Sequence, residues 1–120
     1  MPLTLLLRCG DLNETRRFYE SVLGFNAFDS AEGTLTVEKE GGKLVFTPAD
    51  LWQGPAGFSG TIYFTLTDVD RYFTSIEDKI DAAWPLQDTS YASREFGIKD
   101  CNGYHLGFQQ QVKQFIQADA

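Results

Sequence analysis

A chain of 120 residues with 42% hydrophobic content suits one domain built on one core. Its formal charge of −7 argues against nucleic acid and against anionic membrane surfaces, since either partner needs a basic face. Two cysteines, Cys9 and Cys101, make no disulfide framework. The run Met1–Arg8 has no basic n-region and is too short for a signal peptide or a span, so the expectation is a reduced, cytoplasmic protein.

Taken in order, Leu3 to Cys9 reads as a strand that Gly10 and Asp11 break. Asp11 is an N-cap with Glu14 as its capping-box partner, and Leu12, Thr15, Phe18, Tyr19, Val22 and Leu23 recur at helical spacing up to Gly24. Phe25–Ser30, Gly33–Glu40 and Lys43–Pro48 read as strands separated by Glu32-Gly33 and Gly41-Gly42 turns. Residues 50–60 form a loop that carries Leu51, Trp52 and Phe58. Gly60–Thr67 is a further strand, and Asp68 caps a helix from Val69 to about Ile80. Trp84–Gln87 is a short strand. Tyr91–Lys99 and Tyr104–Gln110 make a hairpin whose turn is supplied by Asp100, Asn102 and Gly103. In its second arm Tyr104, Leu106 and Phe108 point one way, and His105, Gly107 and Gln109 the other. Residues 111–120 read as a short helix or a tail.

The two halves repeat after roughly sixty residues, with Asp11-Leu12 and Asp68-Val69 opening the two helices. The expectation is an α+β fold: paired βαβββ modules, about 3–48 and 59–110, forming a curved mixed sheet with a cavity and helices on the outer face. One domain covers 1–110. Strand alternation puts Thr4, Leu6, Arg8, Val45, Thr47, Thr61, Tyr63, His105 and Gly107 on the faces the helices leave open. Glu95 joins them if Phe96 and Ile98 pack inward. Trp52, Phe58 and Trp84 are candidates for stacking on a planar ligand; rim packing or a dimer contact is the competing reading.

Arg8-Cys9-Gly10-Asp11-Leu12, then Phe18-Tyr19 and Val22-Leu23-Gly24-Phe25, resemble the opening strand and helix of the vicinal oxygen chelate superfamily. That superfamily includes glyoxalase I, extradiol dioxygenases, and fosfomycin- and bleomycin-resistance proteins. Asp100-x-x-Gly103 is similar to its closing turn, and Arg94-Glu95-Phe96 looks most like the bleomycin-resistance branch. Metal enzymes of this superfamily hold a divalent ion with one His, Glu or Gln from each of four strands. The matching positions here are Thr4, Val45, Thr61 and Gly107, which lack such donors, so the resemblance implies no metal and no cofactor. His105 is the only histidine and is expected to form hydrogen bonds rather than to bind a metal.

The resulting expectation is a metal-independent small-molecule binding protein that sequesters a cationic or aromatic ligand through Leu6, Arg8, Val45, Thr47, Trp52, Phe58, Thr61, Tyr63, Trp84, Glu95, His105 and Gly107. No catalytic residue is assigned: no Ser–His–carboxylate relay and no phosphate loop is visible. One alternative is a lyase, isomerase or dioxygenase of the same superfamily, with Glu95, His105 or Tyr63 as acid–base groups. Another is a regulatory domain with a vestigial pocket. The resemblance further implies a homodimer.

Overall fold

The computed structural model describes residues 3–55 and 57–111. The described residues contribute eight strands and two principal helices. They run β1 Thr4–Arg8, α1 Leu12–Arg17, β2 Asn26–Ser30, β3 Thr34–Lys39, β4 Gly42–Thr47, β5 Thr61–Thr65, α2 Val69–Ile76, β6 Ala82–Asp88, β7 Ser93–Lys99 and β8 His105–Gln111. They form two mixed four-stranded sheets, ordered β1-β4-β3-β2 and β5-β8-β7-β6. The βαβββ repeat is therefore present in both halves of an α+β fold. Each sheet opens on a parallel pair, β1 with β4 and β5 with β8, and continues antiparallel. The helix or tail expected over 111–120 lies, apart from Gln111, outside the described residues.

The chain divides into two compact units. The first comprises residues 1–60 together with Asp100–Tyr104, and the second comprises Thr61–Lys99 with the residues from His105 onward. The turn that joins β7 to β8 thus belongs with the first unit.

In the first unit, the Asp11 carboxylate caps α1 by accepting from the backbone N–H groups of Asn13 (2.8 Å) and Glu14 (3.1 Å). The helix then widens into a π-turn over Phe18–Val22, closed by Leu23 N–H to the Phe18 carbonyl, and Gly24 ends it at φ +74°. Tyr19 and Leu23 are both fully buried, as are Leu35, Val37, Leu44 and Phe46, and the Tyr19 ring packs on those of Phe25 and Phe46. The Tyr19 hydroxyl donates to Asp100 at 2.6 Å, and Tyr104 donates to the Arg8 carbonyl. Asn102 accepts from Gly10 N–H and donates to the Thr15 hydroxyl. Asp100 also accepts from the backbone of Asn102 and Tyr104, so both oxygens of the carboxylate in this core are bonded. Desolvation raises the Asp100 carboxyl above its ordinary range despite those bonds, and the same cause, followed by the Asp100 charge, pushes the Cys101 thiol up to about 11.

In the second unit, Asp68 caps α2 through Arg71 N–H at 3.0 Å. The helix is shorter than its apolar spacing predicts and closes as a 3₁₀ turn over Glu77–Lys79. Its apolar face, Val69, Tyr72, Phe73 and Ile76, covers one side of the sheet. There Phe64, Phe108 and Phe96 form a row of stacked rings, with centroids 5.5 and 5.3 Å apart. Tyr72 and Phe73 close onto them at 5.0 and 4.9 Å. Burying such aromatic side chains contributes about 1.5–3 kcal/mol each. That packing fixes which way β7 and β8 face, and so sends Glu95, Gly97, His105 and Gly107 to the opposite side of the sheet.

Candidate functional site

The side of the second sheet that α2 leaves open is built around two glycines. Gly97 on β7 and Gly107 on β8 are cross-strand partners. Their outer neighbours in the same row are Trp84 on β6 and Tyr63 on β5. A Cβ on Gly97 would fall inside the Trp84 indole, nearly equidistant from Cη2, Cζ2 and Cε2, so the six-membered ring lies face-on over that glycine. A Cβ on Gly107 would meet Tyr63 Cε1 at 2.5 Å, Cδ1 at 2.6 Å and Cζ at 3.2 Å, which again places the ring flat on the backbone. With no side chain from either central strand in this row, the two flanking aromatics fold inward and pave the sheet. A register shift between Trp84 and Gln87, around Pro85, breaks the pairing of edge strand β6 there and aims the indole inward.

Both rings end on Glu95. This carboxylate is 2% exposed. Its Oε2 accepts from the Tyr63 hydroxyl (3.1 Å) and Trp84 Nε1 (3.0 Å), and its Oε1 from the Tyr91 hydroxyl (2.9 Å) and Ser93 Oγ (3.1 Å). Four uncharged donors thus fill the roughly four lone-pair positions a carboxylate offers. The neighbouring cation, Arg94, is turned away and binds Asp70 and Asp88. Desolvation, then the bond to Glu95, pushes the Tyr63 phenol well up, so it stays a donor into the alkaline range. Tyr91 and Ser93 are placed by a tight turn in which Thr89 and Ser93 exchange hydrogen bonds and Ala92 takes φ +61°. The outward faces of the platform stay accessible: Tyr63 is 44% and Tyr91 59% exposed, and Trp84 is half-buried.

The structure brings together Tyr63, Trp84, Glu95 and Gly107 of the expected set, and Thr61 and His105 stand one row away beside Lys99. Gly97, Tyr91 and Ser93 were not among the expected site residues. Gly97 carried a usable signal, a glycine inside a strand and in phase with Glu95.

The other expected residues belong to the first unit. Leu6, Val45 and Thr47 lie on the open side of its sheet. Arg8 donates from Nη1 to the Gly54 carbonyl at 2.9 Å and lies 3.6 Å from Asp50. It lines a cleft of about 610 Å³ with Phe58 and Tyr104, beside a groove of about 300 Å³ that includes Leu6 and Trp52.

The residues present do not fit the divalent ion of the superfamily's metal enzymes. Thr4 and Val45 in one unit offer a single neutral hydroxyl. In the other, Thr61 offers a second, while Gly107 has no donor and is covered by the Tyr63 ring. Among the described residues no three His, Cys, Asp or Glu side chains come together in a metal-binding group.

Comparison with solved structures places this architecture. A glyoxalase/bleomycin resistance protein/dioxygenase from Alicyclobacillus acidocaldarius superposes with a TM-score of 0.76 at 18% identity, covering 97% of this chain and 96% of that one. TioX from Micromonospora sp. ML1 gives 0.73 at 21% identity, covering 93% and 99%. A virulence protein from Salmonella typhimurium gives 0.72 at 22%, covering 91% and 94%. At such identities the likeness is one of fold. No curated protein matches. The family model described as Glyoxalase/Bleomycin resistance protein/Dioxygenase superfamily matches residues 3–108, and the chain belongs to that superfamily.

Proposed function

We propose that this protein binds a planar, cationic aromatic small molecule on the paved face of its second sheet, without a metal, as a sequestering protein similar to the bleomycin-resistance branch. The observation that carries this reading is Glu95: a buried carboxylate held by neutral donors, with no counter-ion among the described residues, under rings that remain exposed. Burying an uncompensated charge is costly, and a bound cation is one way that cost is offset. The charge of −7 adds a long-range attraction that acts on association rate and fades with salt.

The reading of the same residues as acid–base catalysts is less well supported. A general base needs a free lone pair for the substrate proton, and the four donors on Glu95 leave none. The test is calorimetry with 9-aminoacridinium and with acridine-9-carboxylate at low and high salt. We expect the cation to bind and the anion not to; equal binding of the two would defeat the proposal. The proposal includes a homodimer, supported by the exposed apolar residues Leu6 and Phe28 on the open side of the first sheet, at 43% and 44%. Sedimentation should then give twice the chain mass at micromolar concentration. Among the described residues no helix is long and apolar enough to cross a membrane.

A further inference from the structure

Resting on that reading, we infer that the site selects cations whose charge carries no N–H group, such as a quaternised heteroaromatic ring, and recognises them through the faces of Tyr63, Trp84 and Tyr91 rather than by an ion pair with Glu95. The argument is a count of donors and acceptors. Each Glu95 oxygen already accepts two hydrogen bonds, so a ligand N–H finds no acceptor there. The carboxylate is 2% exposed beneath the aromatics, so a ligand touches rings before it touches oxygen.

The two phenols and the indole spend their only donors on this one anion. Donation to an anion draws the O–H and N–H protons toward it and leaves each ring richer in electrons, which strengthens the attraction of its face for a cation. Glu95 therefore acts through the rings as a positioning and polarising residue. The flat seating of Tyr63 and Trp84 on Gly107 and Gly97 favours a planar ligand over a compact ammonium, which an enclosing box of upright rings would suit better.

The experiment compares three ligands of one shape on the full chain at neutral pH: 10-methylacridinium, which has no N–H; 9-aminoacridinium, a cation rich in N–H; and uncharged acridine. Calorimetry supplies affinities, and Trp84 fluorescence in a Trp52→Phe background reports binding at the platform. The expected result is that 10-methylacridinium binds at least as tightly as 9-aminoacridinium, and that acridine binds roughly 2- to 30-fold more weakly than either, the range a cation–π contribution supplies. Tyr63→Phe, which keeps the ring but removes its bond to Glu95, should lower affinity for 10-methylacridinium more than for acridine. If 9-aminoacridinium binds about tenfold or more tighter than its methylated counterpart, a direct hydrogen bond governs recognition and this inference falls while the cation-binding function stands. If none of the three perturbs Trp84, both fall.

Discussion

The two sheets share a topology and differ in one row. In the first unit the middle row of the open face reads Leu6, Val45, Thr36, Phe28 across β1, β4, β3 and β2. In the second, the row in the corresponding place reads Tyr63, Gly107, Gly97, Trp84 across β5, β8, β7 and β6. Both rows have large apolar ends. In the first, β-branched side chains occupy the centre, and Phe28 stays 44% exposed. In the second the centre is bare backbone, and the end residues lie down on it and reach the buried acid in the next row. What distinguishes the candidate binding surface from its counterpart is thus the side chains it lacks at the centre of the row rather than any it adds.

The largest expected effect comes from giving the second row the centre of the first. Gly97→Thr with Gly107→Val should lift both rings, break the Tyr63 and Trp84 bonds to Glu95, and abolish 10-methylacridinium binding. Losing two hydrogen bonds to a charged group should also cost about 3–6 kcal/mol in urea unfolding. Retention of binding by this variant would mean that the paving is incidental.

Some of this contrast can be read in the sequence and some cannot. Asp11 and Asp68 announce both helices, because a capping carboxylate followed by apolar residues at helical spacing is a local signal. Gly107 stands out for the same reason, as a glycine between Leu106 and Phe108. Gly97 sits between Phe96 and Ile98 in the same way, but Glu95 draws the eye along that strand and the Gly97–Gly107 pairing is a matter of register between strands. The turn 100–104 reads as the tip of the second hairpin. Its membership in the first unit depends on Tyr19, 81 residues away from Asp100, and no local pattern carries such a partnership. Tyr91 and Ser93 share the phase of Glu95 in the expected strand Tyr91–Lys99, but the strand begins at Ser93, and the turn through Ala92 rather than the pleat sets the direction of Tyr91.

A smaller effect sharpens the comparison through pH. The Tyr63 phenol, raised by desolvation and by Glu95, keeps its proton in the folded state above pH 10.0, where the unfolded chain releases it. A raised folded value contributes stability that is fully present below pH 10.0 and is lost as pH rises through the folded value. Stability should therefore fall on the alkaline side, and Tyr63→Phe should flatten that fall. Leu6, which occupies the same place in the first unit, has no titrating group, so Leu6→Ala should leave the slope unchanged. Chemical denaturation across the alkaline range measures both; an unaltered slope in Tyr63→Phe would separate the phenol from the carboxylate.

The smallest effect concerns the turn that delivers Tyr91 and Ser93. Ala92 holds φ +61°, a region that disfavours side chains, so Ala92→Gly should raise stability by about 1 kcal/mol while leaving 10-methylacridinium affinity unchanged. A loss of affinity would show that the rigidity of this turn, and not only its geometry, supports the platform.

The membership of residues 100–104 in the first unit bears on how the chain is made. During synthesis the amino-terminal half emerges first, and domains ordinarily fold in that order, at about 5–20 residues per second. Here the buried Tyr19 hydroxyl has no acceptor until Asp100 has been added, and the caps that Asn102 and Tyr104 place on Gly10 and Arg8 come later still. A ribosome-bound chain halted after β4 would hold a sheet and a helix with an unsatisfied phenol at their centre. Protection of Tyr19 from chemical modification should appear only once the β7–β8 turn has left the exit tunnel, so the first unit cannot finish folding until all of the second but its last strand has been synthesised.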